Sequence, residues 1–221
     1  SEAYYNLAGI FESINDTETA AEYYKKALEY NTNKNASEIH YLLGISYLKI
    51  KNFEQGLKHY EHRLSKDFAI LTQVKQRRER ITSKPYWMGE DIKDKTLFVY
   101  YESGLGDTIM YLRYLSLLKD KCKKVLFEPQ MCFVDFFQEN NLGVEIIDSR
   151  KISTKDLEFD YHISLMSLPF VLQLNSEKTP LSDGYLKADK EKTKIYEQNY
   201  FNNQKFKIGI KWKGNTSYDL N

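Results

Sequence analysis

"YYESGLGDTIMYLRYL", residues 100–115, joins the end of an aromatic and β-branched run to a run with helical spacing, through two glycines and an acid. A strand that ends in a glycine-containing turn and opens a helix is the first unit of a nucleotide-binding α/β fold. A dinucleotide fingerprint has the spacing G-x-G-x-x-G and an acid about 20 residues further on. Gly104 and Gly106 fill the first two positions and Glu128 closes the next strand-like run, but Ile109 stands at the third. Its side chain is expected to hold the helix away from the strand, so an NAD site fits poorly. The glycines are expected to bend the backbone and to turn amide N–H groups toward an anion. Asp107 has two readings. It is a helix cap on the amides of Ile109 or Met110, or a carboxylate at the mouth of the sheet that takes a proton from a substrate hydroxyl.

Working outward, "TLFVYY" (96–101), "KVLFE" (124–128), "VEIID" (144–148) and "YHISL" (161–165) read as strands. Helices are predicted over 107–120, 130–140, 167–174 and 189–202. Strand and helix alternate, which predicts a mostly parallel, doubly wound sheet in an α/β domain, with binding at the carboxyl ends of its strands. Upstream, "TSKPYWMGEDIKDKT" (82–96) reads as a linker broken by Pro85 and Gly89, with Trp87 as its anchor. Asp160 and His162 share one face of a strand, as polar groups of a cleft or as partners of each other and of the backbone. Ser167 is expected to cap a helix that starts near Pro169.

The first 70 residues follow another pattern. Tyr4, Leu7, Ala8, Phe11, Ala20, Tyr24 and Ala27 recur 36 residues later as His40, Leu43, Gly44, Tyr47, Gly56, Tyr60 and Arg63. Small residues let two helices approach and aromatic residues fill the space around them. The pattern resembles the tetratricopeptide repeat, a helix-turn-helix unit of about 34 residues. Arg63 breaks it by replacing a small residue, which suits a terminal repeat packed against something else. Such repeats imply a concave surface for a peptide or a partner protein. Two repeats are few for a free-standing array, so either more lie upstream or these two lean on the next domain. "KQRRER" (75–80) is expected to be a solvated helix end, and His59 and His62 are expected to face solvent.

Composition excludes several classes. With 32 basic and 31 acidic side chains the net charge is +1, without the basic excess of a nucleic-acid binder. Cys122 and Cys132 form no disulfide framework, and with His40, His59, His62 and His162 they show no metal spacing. Reduced thiols suggest a cytoplasmic location. The longest apolar stretch, "YHISLMSLPFVLQL", is too short to span a bilayer.

Three segments carry a further resemblance: "PYWMGEDIKDKTLFVYYESGLGDTIMYLRYL" (85–115), "FDYHISLMSLP" (159–169) and "KIGIKWKGN" (207–215). With the helical repeats ahead of them, they resemble bacterial tetratricopeptide-repeat proteins that carry a heptosyltransferase-like glycosyltransferase domain of GT-B architecture. The resemblance implies repeats over 1–72 (units 1–34 and 37–70), a helix end and linker over 73–95, a Rossmann-like acceptor domain over 96–205, and the first strand of a C-terminal donor domain over 206–221. It implies Asp107 as the base on the acceptor hydroxyl. Ser103, Gly104, Leu105, Gly106, Thr108 and His162 would line the acceptor side, and Trp212, Gly214 and Asn215 the donor cleft. The expected partners are a nucleotide-sugar donor and a sugar, glycan or protein acceptor, with no metal or other cofactor. An acceptor half alone is expected to be inactive as a fragment of a longer enzyme. The alternative is a non-catalytic protein–protein interaction module built on the repeats.

Overall fold

The computed structural model describes residues 1–31, 36–65, 84–174, 180–181, 184–203 and 205–210. Ser1–Tyr185 form one compact unit and Leu186–Asn221 a second. Within the second, α8 (Lys190–Tyr200) is capped by Asp189, which accepts from the Lys192 amide at 2.6 Å. The basic run 75–80, and Trp212, Gly214 and Asn215, lie outside the described residues.

The first unit opens with two helical hairpins. These are α1 (Glu2–Ser13) with α2 (Thr17–Glu29), and α3 (Ala36–Lys49) with α4 (Phe53–Tyr60), followed by a single 3-10 turn (Glu61–Leu64). The 36-residue echo is present in the backbone as well as in the side chains. Asn15 and Lys51, both left-handed at φ 60 and 63, occupy the same place in the two hairpin turns. Each is followed by a cap: Asp16 accepts from the Thr19 amide at 3.2 Å, and Asn52 from the Gln55 amide at 3.4 Å. Ala8, Ala20 and Ala27 are fully buried and share a core with Tyr24, Ile39 and Leu43. The small residues of the echo therefore lie where helices touch.

The second hairpin departs from the first by stacking imidazoles. The His40 ring centre lies 4.0 Å from that of His62 and 4.9 Å from that of His59, and the Nδ1 atoms of His40 and His59 are 2.8 Å apart. This corrects the expectation that His59 and His62 face solvent: both turn toward α3 and are partly buried. Burial, with His62 and His59 nearby, lowers the His40 pKa to about 4, and burial and His62 also lower that of His59. A depressed histidine binds fewer protons folded than unfolded. Stability is therefore full above the ordinary value of 6.5 and is lost as pH falls toward 4. We expect the urea midpoint to drop between pH 7.5 and pH 5, and His40→Gln to flatten that dependence.

After the repeats the chain forms an all-parallel sheet of four strands. β1 (Ile92–Tyr100), β2 (Cys122–Glu128), β3 (Glu145–Ile146) and β4 (Tyr161–Ser164) stand in the order β3-β2-β1-β4. Helix α5 (Leu105–Leu112) follows β1 and tightens into a 3-10 stretch (Arg113–Leu118). After β2 comes a 3-10 turn (Met131–Phe133) leading into α6 (Val134–Glu139). After β4 comes another (Leu165–Ser167) leading into α7 (Leu168–Val171).

Leu97, Phe98, Val99 and Tyr100 have no exposure, so β1 is buried on both faces, as a central parallel strand is. Phe98 and Tyr100 pack with Leu126, Ile147 and Phe159 on one face. By the strand's period of two, Leu97 and Val99 point to the other. β1 starts earlier than predicted, at Ile92, because Ile92 pairs with Cys122 ahead of a register shift. The segment read as a linker is partly built into the fold. Tyr86 bridges to His162, the Trp87 amide donates to the His162 carbonyl at 2.9 Å, and Trp87 is 3% exposed.

Candidate functional site

The direction of strand addition reverses beside β1: β2 and β3 lie on one side of it and β4 on the other. In an open parallel sheet this reversal leaves a crevice at the carboxyl ends of the two strands, where ligands are commonly held. Here a side chain from the helical repeats reaches that end of the sheet. Arg63 comes from the 3-10 turn after α4, and its side chain is 0% exposed. Its Nε donates to Glu102 Oε1 at 2.6 Å and its Nη2 to Glu102 Oε2 at 2.8 Å, a bidentate pair with a carboxylate two residues beyond β1.

The neighbours complete a buried polar network. Arg63 Nη2 also donates to Ser167 Oγ at 2.8 Å, and Nη1 donates to Glu61 Oε1 at 2.5 Å. Ser167 Oγ donates to Glu61 Oε2 at 2.8 Å, and the Ser164 hydroxyl, at the end of β4, donates to Glu102 Oε2. The Tyr60 ring lies 4.6 Å beneath the guanidinium. Burial works against the charge on Arg63, but Glu102 and Glu61 overcome it and raise its pKa well above the ordinary value. The arrangement fixes the repeats to the sheet and places protein side chains between the ends of β1 and β4. All four carboxylate oxygens of Glu61 and Glu102 accept hydrogen bonds from side chains of the network.

The 103–108 turn is more open. Gly104, Leu105 and Gly106 are exposed. Asp107 does not cap the amides of Ile109 or Met110. Helix α5 starts two residues earlier than predicted, at Leu105, which makes Asp107 its third residue; Oδ2 reaches back to accept from the Gly104 amide at 3.0 Å. The Gly104 amide, expected to face an anion, is therefore satisfied by a carboxylate of the chain itself.

The chain bends at Ser103, but the turn does not require glycine: Gly104 has φ −70 and ψ 173, which any residue adopts, and among the described residues a Cβ on Gly106 would meet no atom within 4 Å. Ile109 does not separate helix from strand. It is 38% exposed, whereas Thr108 and Leu112, four residues apart and so on one face, are each 2% exposed and turn inward. The Thr108 hydroxyl is buried and has no hydrogen-bond partner among the described residues. Gln130, just after β2, braces the turn through its Nε2, which donates to the carbonyls of Ser103 at 3.0 Å and Gly104 at 3.2 Å.

Ser103, Gly104, Leu105, Gly106, Asp107 and Thr108 thus form one local cluster. His162 stands apart from it, 4% exposed within β4, with ring centres at 5.3 Å to Tyr86 and 5.9 Å to Tyr100. Asp160 engages the backbone: Oδ2 accepts from the Thr96 amide at 2.8 Å, and Lys95 lies 3.9 Å away. Ser167 occupies the position before α7, as predicted, but its hydroxyl makes no cap bond and serves Glu61 and Arg63 instead. The buried pair that the sequence did not reveal is Arg63 with Glu102. The available signal was an arginine at an inward position of a repeat, whose burial requires a carboxylate partner.

A tetratricopeptide-repeat family model matches residues 1–34, and the chain contains that repeat there. The comparisons with curated proteins and with solved structures found no match. Among the described residues, no helix is long and apolar enough to cross a membrane, and no group of three or more His, Cys, Asp or Glu is placed to hold a metal ion.

Proposed function

We propose that this chain is a protein-interaction module, in which the helical repeats bind a peptide segment of a partner and the α/β part is the platform that holds them. The observation that carries the reading is the tetratricopeptide repeat at residues 1–34. Between α1 and α3 runs a polar seam suited to a peptide backbone and its side chains. Tyr5 donates to Glu38 at 3.0 Å, and Ser46 donates to Glu12 at 2.6 Å. Lys49, with its side chain 49% exposed, pairs with Glu12. The Arg63–Glu102 network supports the platform role, because it ties the second hairpin to the sheet end.

A second reading, sugar transfer, rests on the resemblance to heptosyltransferase-like GT-B enzymes and has one observation in its favour. Gly106 is exposed with open space in place of a side chain, at the carboxyl end of β1 and next to Asp107. In that reading the Rossmann-like sheet is the acceptor domain. An acceptor hydroxyl approaches over Gly106 and attacks the anomeric carbon of a nucleotide sugar. Asp107 Oδ1 takes its proton while Oδ2 stays on the Gly104 amide, and the nucleotide leaves with the bonding pair. Trp212, Gly214 and Asn215 belong to the donor side.

One set of measurements separates the readings. Peptides selected from a random library on the intact chain are expected to bind at least about tenfold more weakly to Tyr5→Ala and Glu12→Ala, a loss of roughly 1.4 kcal/mol. Failure to select any peptide, or binding indifferent to both changes, overturns the interaction reading. Saturable calorimetric binding of an acceptor sugar that Asp107→Asn weakens would put sugar transfer in its place.

A further inference from the structure

Helix α1 carries a second face, separate from the seam. Ala3, Leu7, Ile10 and Ile14 follow one another at spacings of four, three and four, which places them in one stripe. Ala3 is exposed, Leu7 is 37% exposed, Ile10 57% and Ile14 64%. Isolated exposed apolar residues are ordinary on a surface, but a stripe along most of a helix is not.

The repeat itself shows what covers such a stripe. Moving 36 residues along, the same positions on α3 are Ile39, Leu43, Ser46 and Ile50. Ile39 is 4% exposed, Leu43 1% and Ser46 0%, and Ile50 is partly buried. Ile39 and Leu43 share one core with Ala20, Tyr24 and Ala27 of α2, the second helix of the preceding hairpin. The two hairpins have matching caps and matching left-handed turn residues, so α1 and α3 are equivalent in backbone as well as in sequence. The α2–α3 interface, displaced by one repeat, falls on the exposed stripe of α1.

We infer that the Leu7–Ile10–Ile14 face of α1 is a stacking surface for a further helical hairpin of the tetratricopeptide type, whose second helix lies on α1 as α2 lies on α3. The occupant presents small residues, at positions equivalent to Ala20 and Ala27, to the leucine and isoleucines of α1. Leucine at both Leu7 and Leu43 keeps the contact at the centre of the interface the same. Stacking on this face leaves the α1–α3 seam open, so the inference does not depend on peptide binding there.

The test joins a copy of residues 1–36 directly ahead of Ser1 of the full chain, which preserves the 36-residue period, and follows amide hydrogen exchange. In the extended chain the α1 amides around Ile10 are expected to exchange at least about tenfold more slowly than in the original. Ile10→Glu is expected to leave the original chain folded, since the side chain points to water, and to abolish the added protection. If the added hairpin exchanges like unfolded chain, the proposal is overturned, because the same sequence folds against α3. A concentration-dependent dimer of the original chain that Ile10→Glu dissolves also overturns it, by showing that a second copy covers the face.

Discussion

Arg63→Ala is expected to destabilise the chain by about 3–5 kcal/mol, a drop in melting temperature on the order of 10 °C for a protein of this size. The cause lies less in the lost attraction than in what stays behind. Glu102 has no side-chain exposure, and without Arg63 it keeps only the Ser164 hydroxyl among its named partners. Glu61, a second carboxylate of the network, loses its cation as well. A buried charge without its partner is among the few single changes that cost this much. Glu102→Ala should cost a similar amount by stranding the guanidinium. The double change should cost much less than the sum of the two, and a coupling of roughly 2–3 kcal/mol in a double-mutant cycle would be in line with contacting partners. The pair also joins residues 39 positions apart that belong to different architectures. Residues 1–65 and the sheet should therefore melt in one transition in the wild type and in two after Arg63→Ala. A fall of less than 1 kcal/mol, or an unchanged single transition, would show that other contacts carry the junction.

Which parts of this structure could be read in advance follows from the range of the forces involved. The repeats were legible because their determinants recur at a fixed period: small residues at positions 8, 20 and 27 and aromatics at 4, 11 and 24 meet across helices joined by short turns. The parallel sheet was legible because alternating strand and helix leave few other arrangements. Element ends were less so. The helix after β1 begins at Leu105 and not at Asp107, because Gly104 in an extended conformation serves as the cap residue and Asp107 reaches back to it. Within that helix Thr108 faces inward and Ile109 outward, so Ile109 does not lie between helix and strand. The histidine stack and the Arg63–Glu102 pair were not legible, for a common reason. Each joins polar groups from separate segments, and spacing along one segment carries no information on which other segment will lie against it. Arg63 was recognisable as an exception to its repeat; its partner was not.

Gly44→Ala is expected to cost about 1–3 kcal/mol, against the gain of up to about 1 kcal/mol that a glycine-to-alanine change brings inside a helix. The sign is decided by space. A Cβ on Gly44 would lie 2.6 Å from the Tyr60 nitrogen, 2.9 Å from the His59 carbonyl carbon and 3.0 Å from Tyr60 Cα. All three are backbone atoms of α4, so no side chain can turn aside, and relief requires α3 and α4 to separate. Separation moves the segment that leads directly into Glu61 and Arg63, and so disturbs the network at the sheet end. Gly44→Ala and Arg63→Ala together should then cost less than their sum, because the first change already weakens the contacts that the second removes. The equivalent residue of the first hairpin, Ala8, carries its methyl fully buried, so the requirement for glycine belongs to the second hairpin alone. Gly9→Ala is the matched control. Nothing lies within 4 Å of a Cβ there, and the change should stabilise the chain by up to about 1 kcal/mol. Urea unfolding of the two variants should move the midpoint in opposite directions. Movement in the same direction would mean that the close approach of α3 and α4 does not constrain this repeat.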